Sequence, residues 1–112
     1  MSGKTTGAAI INELFAVIES RKGGDPETSY TAKLFDRGRE LIARKFGEEA
    51  VETVLAAVKD DRGEIAAESA DVLFHLMVLW ADAGLTPDDI WAQLEARRGT
   101  SGIEEKKSRK PA

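Results

Sequence analysis

Residues 48–83 read EEAVETVLAAVKDDRGEIAAESADVLFHLMVLWADA. Small and apolar residues recur at helical spacing on both sides of a polar break at Asp61-Arg62-Gly63, which is typical of the turn in a helical hairpin. We therefore expect one helix from about residue 38 to 60 and a second from 64 to 83. Helices joined by so short a turn are antiparallel neighbours, and this hairpin predicts an all-α fold.

Helical patterns continue on either side of the hairpin. Residues 8–20 predict an amphipathic helix, which the segment GGDP at 23–26 ends. Ser29 or Thr31 can cap a short helix that runs to about Arg37. Gly84 as a C-cap and Thr86-Pro87 as a helix start predict a last helix from 87 to about 97. Strand-like alternation is absent, so the pattern indicates a bundle of four to five helices.

The helix predicted at 64–83 is apolar around nearly its whole circumference, especially from Leu73 to Trp80. Such a helix must be buried on several sides, and a chain of 112 residues offers few elements to cover it. We therefore expect a homodimer that completes the bundle. The domain organisation expected is a flexible N-terminus at 1–7, an all-α domain at 8–98 and a basic tail at 99–112 that could close over a substrate.

Composition narrows the possible sites and partners. The chain contains no cysteine and one histidine, His75, so a metal would be held by oxygen ligands with His75 as the only other donor. No apolar run is long enough to span a membrane, and Met1 begins no secretory signal, so we expect a cytoplasmic protein. The segment Ser2-Gly3-Lys4-Thr5 lacks the upstream glycine and strand of a phosphate-binding loop. Nucleic-acid binding is not expected, because acids balance the basic residues of the folded body.

Carboxylates cluster on the two hairpin helices. Residues three or four apart share a helix face, which pairs Glu49 with Glu52 on the first helix and Glu68 with Asp71 on the second. One such pair is usually a solvated surface. Two pairs on adjacent helices, one of them embedded in an apolar helix, favour a bound Mg²⁺, which prefers oxygen ligands. His75 is more often a satisfied buried histidine than a ligand.

Charge is also segregated along the chain, with acids concentrated between residues 45 and 75 and bases between 98 and 112. This segregation has two interpretations, which charge alone does not separate. It can be one anion-handling site split in sequence, in which the middle holds cations and the tail clamps phosphates. It can equally be a solvated helix face followed by a frayed tail.

Several blocks of the chain together resemble a known family. They are SYTAKL at 29–34, KFGEEA at 45–50, ADVLFHL at 70–76, SGIEEK at 101–106 and Ser108-Arg109. Glu-Glu-x-x-Glu followed by Glu-x-x-Asp is similar to the signature of all-α nucleoside triphosphate pyrophosphohydrolases, and the blocks together resemble the phosphoribosyl-ATP pyrophosphatase family. The resemblance implies Mg²⁺-dependent hydrolysis of phosphoribosyl-ATP to phosphoribosyl-AMP and pyrophosphate in histidine biosynthesis. It further implies a homodimer and a stand-alone form without a cyclohydrolase domain.

Roles for individual residues follow as expectations. The metal ligands expected are Glu49, Glu52, Glu68 and Asp71. Glu48 points about 100° around the helix from Glu49, which makes it a candidate general base or an outer partner of the ligands. The matching blocks imply phosphate binding by four basic residues: Lys33, Lys45, Lys106 and Arg109.

Two other functions remain open at this point. The chain could be a housecleaning pyrophosphatase that acts on free nucleotides with the same carboxylates. It could also be a non-catalytic helical dimerisation module whose acids only bind cations. Hydrolysis of dUTP with phosphoribosyl-ATP untouched would distinguish the first, and cation binding without any pyrophosphate release would distinguish the second.

Overall fold

A computed structural model describes residues 7–99, which form five α-helices and contain no strand. The helices are α1 (Ala9–Ser20), α2 (Tyr30–Arg37), α3 (Arg39–Val58), α4 (Arg62–Ala83) and α5 (Pro87–Ala96). The predicted all-α class and the number of helices are confirmed. Residues 1–6 and 100–112, including most of the predicted basic tail, lie outside the described range. No helix within that range is long and apolar enough to cross a membrane.

The helix boundaries follow local capping chemistry. The Ser29 side chain accepts a hydrogen bond from the Ala32 amide at 3.1 Å and begins α2. Gly84 adopts a left-handed conformation that ends α4, the second helix of the hairpin. The α4 helix begins two residues before the predicted position, because Asp61 is its N-cap and accepts from the Glu64 amide at 3.0 Å. The turn is therefore shorter than predicted, because Arg62 and Gly63 belong to α4.

A sharp corner separates α2 from α3 at Gly38. Its backbone has φ 102° and ψ 180°, a combination that essentially only glycine adopts. The corner lets α2 turn back and pack against both α3 and α4. Beyond it, Arg39 forms an ion pair with Asp82, which ties the start of α3 to the end of α4.

The core lies where the C-terminal half of α4 meets the other helices. Its largest fully buried side chains are Ile18 from α1, Leu34 from α2, Ile42 from α3, and Met77 and Val78 from α4. The α4 helix packs most extensively on α3 and also contacts α1 and α2. Much of the apolar circumference that predicted a partner chain is therefore covered within this chain.

Most of the apolar side chains that remain exposed lie outside α4. Four residues at helical spacing on α3 are 50–79% exposed, and we call them the α3 stripe: Val51, Val54, Leu55 and Val58. On α4, Leu73 is 44% exposed. A folded chain this small gains by covering such a continuous strip of apolar side chains.

Candidate active site

The antiparallel pairing of α3 and α4 brings three predicted ligands together. Glu49 on α3 faces Glu68 and Asp71 on α4, and one carboxylate oxygen from each lies within 4.8 Å of the other two. Glu49 and Glu68 are half-buried, whereas Asp71 is exposed. Carboxylate oxygens at this separation surround a space that a hard divalent cation can fill.

Glu68 shows the electrostatic strain of this arrangement. A hydrogen bond to the Glu49 side chain, burial and the negative charges of Glu49, Asp71 and Glu52 all raise its pKa. Its Oε1 atom is buried and has no hydrogen-bond partner within residues 7–99. A buried acceptor without a donor is costly, and a bound cation would satisfy it. The residues present therefore fit a metal ion.

The other two predicted acids, Glu48 and Glu52, are exposed on the adjoining face of α3. They line a shallow cavity of about 550 Å³ together with Val51 of the α3 stripe. Glu52 is not among the three acids whose oxygens converge, although its charge is close enough to raise the pKa of Glu68. Glu48 accepts a hydrogen bond from Lys45 Nζ at 3.4 Å.

His75 is buried beside the cluster with both ring nitrogens engaged. Nδ1 lies 2.9 Å from the Asp71 carbonyl oxygen, which can only accept, so Nδ1 carries the proton. Nε2 then accepts from the Tyr30 hydroxyl at 3.0 Å. Because both ring nitrogens have protein partners, the structure favours a buried, hydrogen-bonded role for His75 over a role as metal ligand.

Tyr30 is a site residue that sequence reasoning missed. Its ring stacks on Phe74 with centroids 6.3 Å apart. Burial raises the pKa of its hydroxyl, as do the charges of Glu49, Glu48 and Asp71, while Lys45 lowers it. The Tyr30 hydroxyl on α2 is therefore within electrostatic range of Glu49 and Asp71, two of the three converging carboxylates. Its place in the block SYTAKL, beside Lys33, was the one available signal.

Basic side chains gather next to Tyr30, where α2 faces the first half of α3. A cavity of about 270 Å³ between the two helices is lined by Tyr30 and by four cations: Lys33, Arg37, Arg44 and Lys45. We call it the basic cavity. Lys33 and Lys45 were expected to bind phosphate, and the structure brings them together.

Arg37 and Arg44 were not among the phosphate ligands expected from the sequence. The spacing of Lys33 and Arg37, one helical turn apart, was a signal for the first of them. The other predicted phosphate ligands, Lys106 and Arg109, lie outside the described residues.

A helical hairpin that presents converging carboxylates beside a basic cavity defines a class: all-α proteins suited to holding a metal-complexed phosphate compound. Comparison with known proteins specifies the family. The family model described as phosphoribosyl-ATP pyrophosphohydrolase matches residues 11–98. The chain belongs to this family, as the motif blocks predicted, and the match spans the cluster and the cavity.

Curated relatives agree with this assignment. A phosphoribosyl-ATP pyrophosphatase of Azospirillum brasilense is 62% identical over 103 residues, covering 92% of this chain and 93% of the relative. One from Paramagnetospirillum magneticum is 64% identical over 100 residues, covering 89% and 92%. A third, from Rhodospirillum rubrum, is 62% identical over 104 residues, covering 93% and 89%.

Proposed function

We propose that this protein hydrolyses phosphoribosyl-ATP to phosphoribosyl-AMP and pyrophosphate, a step of histidine biosynthesis. The observation that carries the proposal is the family match across residues 11–98, with relatives more than 60% identical over most of both chains. The carboxylate cluster and the basic cavity supply the two kinds of group that cleavage of a phosphoanhydride needs, a cation site and phosphate ligands.

The metal in this proposal is Mg²⁺, held by Glu49, Glu68 and Asp71, with Glu52 as a fourth ligand. Support comes from the convergence of three carboxylate oxygens and from the buried, unpartnered Oε1 of Glu68. When bound, Mg²⁺ would polarise the phosphoryl oxygens and stabilise the leaving pyrophosphate. Glu52 is included because it stands one turn from Glu49 on the same helix and its charge acts on Glu68.

Glu48 is the proposed general base. Its exposed carboxylate lies next to the ligands, and Lys45 keeps it paired with a cation. It would take the proton of a water that attacks the α-phosphorus, while the bond from that phosphorus to the bridging oxygen breaks and its electron pair leaves with pyrophosphate. Lys33 and Lys45 hold phosphates in this scheme, and Lys106 and Arg109 join them from the tail at 99–112.

A pyrophosphate-release assay tests the reaction. Phosphoribosyl-ATP, ATP and dUTP are compared, each with Mg²⁺ and with a chelator. We expect Mg²⁺-dependent release from phosphoribosyl-ATP and a much slower reaction with the free nucleotides. A preference for dUTP would instead establish the housecleaning activity. Cation binding without pyrophosphate release from any of them would leave only the non-catalytic module.

Substitutions test the site. Asp71→Asn and Glu52→Gln should each lower kcat at saturating Mg²⁺, because each removes a negative charge from the cation site. Glu64→Gln is the matched control: Glu64 lies one turn before Glu68 on α4 and pairs with Lys59 instead of joining the cluster. Activity of Asp71→Asn equal to that of Glu64→Gln would remove Asp71 from the metal set.

The proposed functional unit is a homodimer that covers the α3 stripe. A second copy is the occupant we favour, because the stripe is apolar, follows one helix face and adjoins Glu48 and Glu52 at the site. Light scattering at micromolar concentration should give twice the 12.2 kDa chain mass. Leu55→Glu should give a monomer, whereas Val17→Glu, at a comparably exposed position on α1, should remain a dimer. A 12.2 kDa wild-type species would refute the dimer.

A cytoplasmic location completes the proposal, because the substrate is a nucleotide derivative consumed within a biosynthetic sequence. Cell fractionation with an assay of phosphoribosyl-ATP hydrolysis in each fraction tests it. Activity confined to a membrane or secreted fraction would contradict it.

A further inference from the structure

The basic cavity concentrates positive charge, and within the described chain the only ion pair that its cations form is the one between Lys45 and Glu48. Within residues 7–99, Lys33, Arg37 and Arg44 form no ion pair or side-chain hydrogen bond, and Lys45 has only the 3.4 Å contact with Glu48. Glu40 lines a neighbouring cavity with Arg37 and Arg44, and Glu27 and Asp36 line another with Lys33 and Arg37. No ion pair joins any of these acids to the three cations. Four cations around about 270 Å³ repel one another unless an anion occupies the space between them.

The position of the cavity indicates which part of a substrate reaches it. Tyr30 lines the cavity, and the charges of Glu48, Glu49 and Asp71 act on its hydroxyl. Lys45 also lines the cavity and contacts Glu48 directly. The basic cavity therefore adjoins the carboxylate cluster, so a ligand group in it would lie next to the bond being cleaved.

We propose that the basic cavity binds the pyrophosphate portion of the substrate, with Arg37 and Arg44 as pyrophosphate ligands. This inference rests on the proposed function, because it assigns the β- and γ-phosphates of that substrate to this place. Arginine suits the role, since its planar fork donates two parallel hydrogen bonds to phosphate oxygens. Lys33 and Lys45 add point charges on either side.

Charge favours the pyrophosphate portion over the other phosphate of the substrate as the occupant of the basic cavity. Phosphoribosyl-ATP also carries a phosphate monoester on its second ribose. A monoester has about two negative charges, and the two linked phosphates of the pyrophosphate portion carry more, which suits a cavity lined by four cations. The pyrophosphate is also joined directly to the scissile bond, whereas the monoester lies at the far end of the molecule.

Binding of the two products separates these possibilities. Isothermal titration calorimetry would measure the affinity of pyrophosphate, in the presence of Mg²⁺, and of phosphoribosyl-AMP for wild type, Arg37→Gln and Arg44→Gln. We expect each substitution to weaken pyrophosphate binding about ten- to a hundredfold, as loss of a charge-assisted hydrogen bond implies, and to leave phosphoribosyl-AMP affinity within about twofold. Inhibition of turnover by added pyrophosphate should weaken in parallel.

Two further variants control for charge and folding. Arg62→Gln removes the same charge at the other end of the α3–α4 hairpin, some 20 Å away by helix rise, and should leave both affinities unchanged. Arg37→Lys should recover part of the pyrophosphate affinity, because it keeps the charge but loses the fork. Thermal melting of each variant verifies that it is folded during the titration.

The outcomes are distinct. Weakened phosphoribosyl-AMP binding with pyrophosphate unaffected would assign the cavity to the monoester and overturn the proposal. Unchanged affinity for both products, or equal losses in Arg62→Gln, would overturn it as well. If wild type bound pyrophosphate through Arg37 and Arg44 but left phosphoribosyl-ATP intact, the proposed function would fail while the pyrophosphate site stood.

Discussion

Replacing Gly38 with alanine tests the corner that positions the basic cavity. With φ 102° and ψ 180°, Gly38 occupies a backbone region that costs other residues about 1–3 kcal/mol. A Cβ built on Gly38 meets no heavy atom within 4 Å, so no steric clash adds to this cost. We expect Gly38→Ala to lower the free energy of unfolding by about 1–3 kcal/mol through backbone strain alone.

Thermal and urea unfolding measure this loss. For a domain of this size 1 kcal/mol corresponds to about 4–8 °C in Tm, so Gly38→Ala should melt roughly 5–20 °C below wild type. Gly47→Ala is the matched control. Gly47 lies inside α3, and its Cβ would also meet nothing within 4 Å, so alanine there should raise stability by up to about 1 kcal/mol. A Gly38→Ala protein as stable as Gly47→Ala would refute the argument from backbone strain.

The same substitution has a consequence for binding. The chain can relieve strain at Gly38 by changing the angle between α2 and α3, which would move Lys33 and Arg37 away from Arg44 and Lys45. At a temperature where Gly38→Ala is still folded, its affinity for pyrophosphate should therefore fall below that of wild type. Equal affinities would show that the corner does not set the geometry of the cavity.

Three further predictions concern contacts around the site. A hydrogen bond to Glu49, burial and nearby negative charges raise the pKa of Glu68 above its ordinary 4.5, so ionisation of Glu68 opposes folding. With a chelator present, the free energy of unfolding should fall as pH rises from 4.5 through the raised pKa of Glu68. Glu68→Gln should remove that part of the fall. An identical pH dependence of Tm in the two proteins would contradict a raised pKa at Glu68. Tyr30→Phe leaves His75 Nε2 without its donor and should cost about 1 kcal/mol in urea unfolding; an unchanged midpoint would mean that this hydrogen bond does not stabilise the fold. Asp61→Ala removes the N-cap of α4 and should cost about 1 kcal/mol, whereas Asp61→Asn keeps an acceptor and should cost much less, an expectation that equal losses would exclude.

Much of the fold was predictable because its determinants are local. Helical periodicity identified all five helices, and capping residues such as Ser29 and Gly84 set their ends to within two or three residues. The start of α4 lies two residues before its predicted position. In the sequence, Asp61 can be either a residue of the turn or the N-cap of the helix. The hydrogen bond that it accepts from the Glu64 amide shows that it is the N-cap.

The sequence by itself also determined which residues could form a cation site, because spacing along one helix places side chains on one face. Tertiary structure alone decided that Glu49, Glu68 and Asp71 converge while Glu52 stands apart, since this depends on how α3 and α4 rotate and slide against each other. The Gly38 corner likewise decided that bases from two helices share one cavity. Periodicity fixes the face of each helix, whereas the depth and register of packing between helices fix which faces meet.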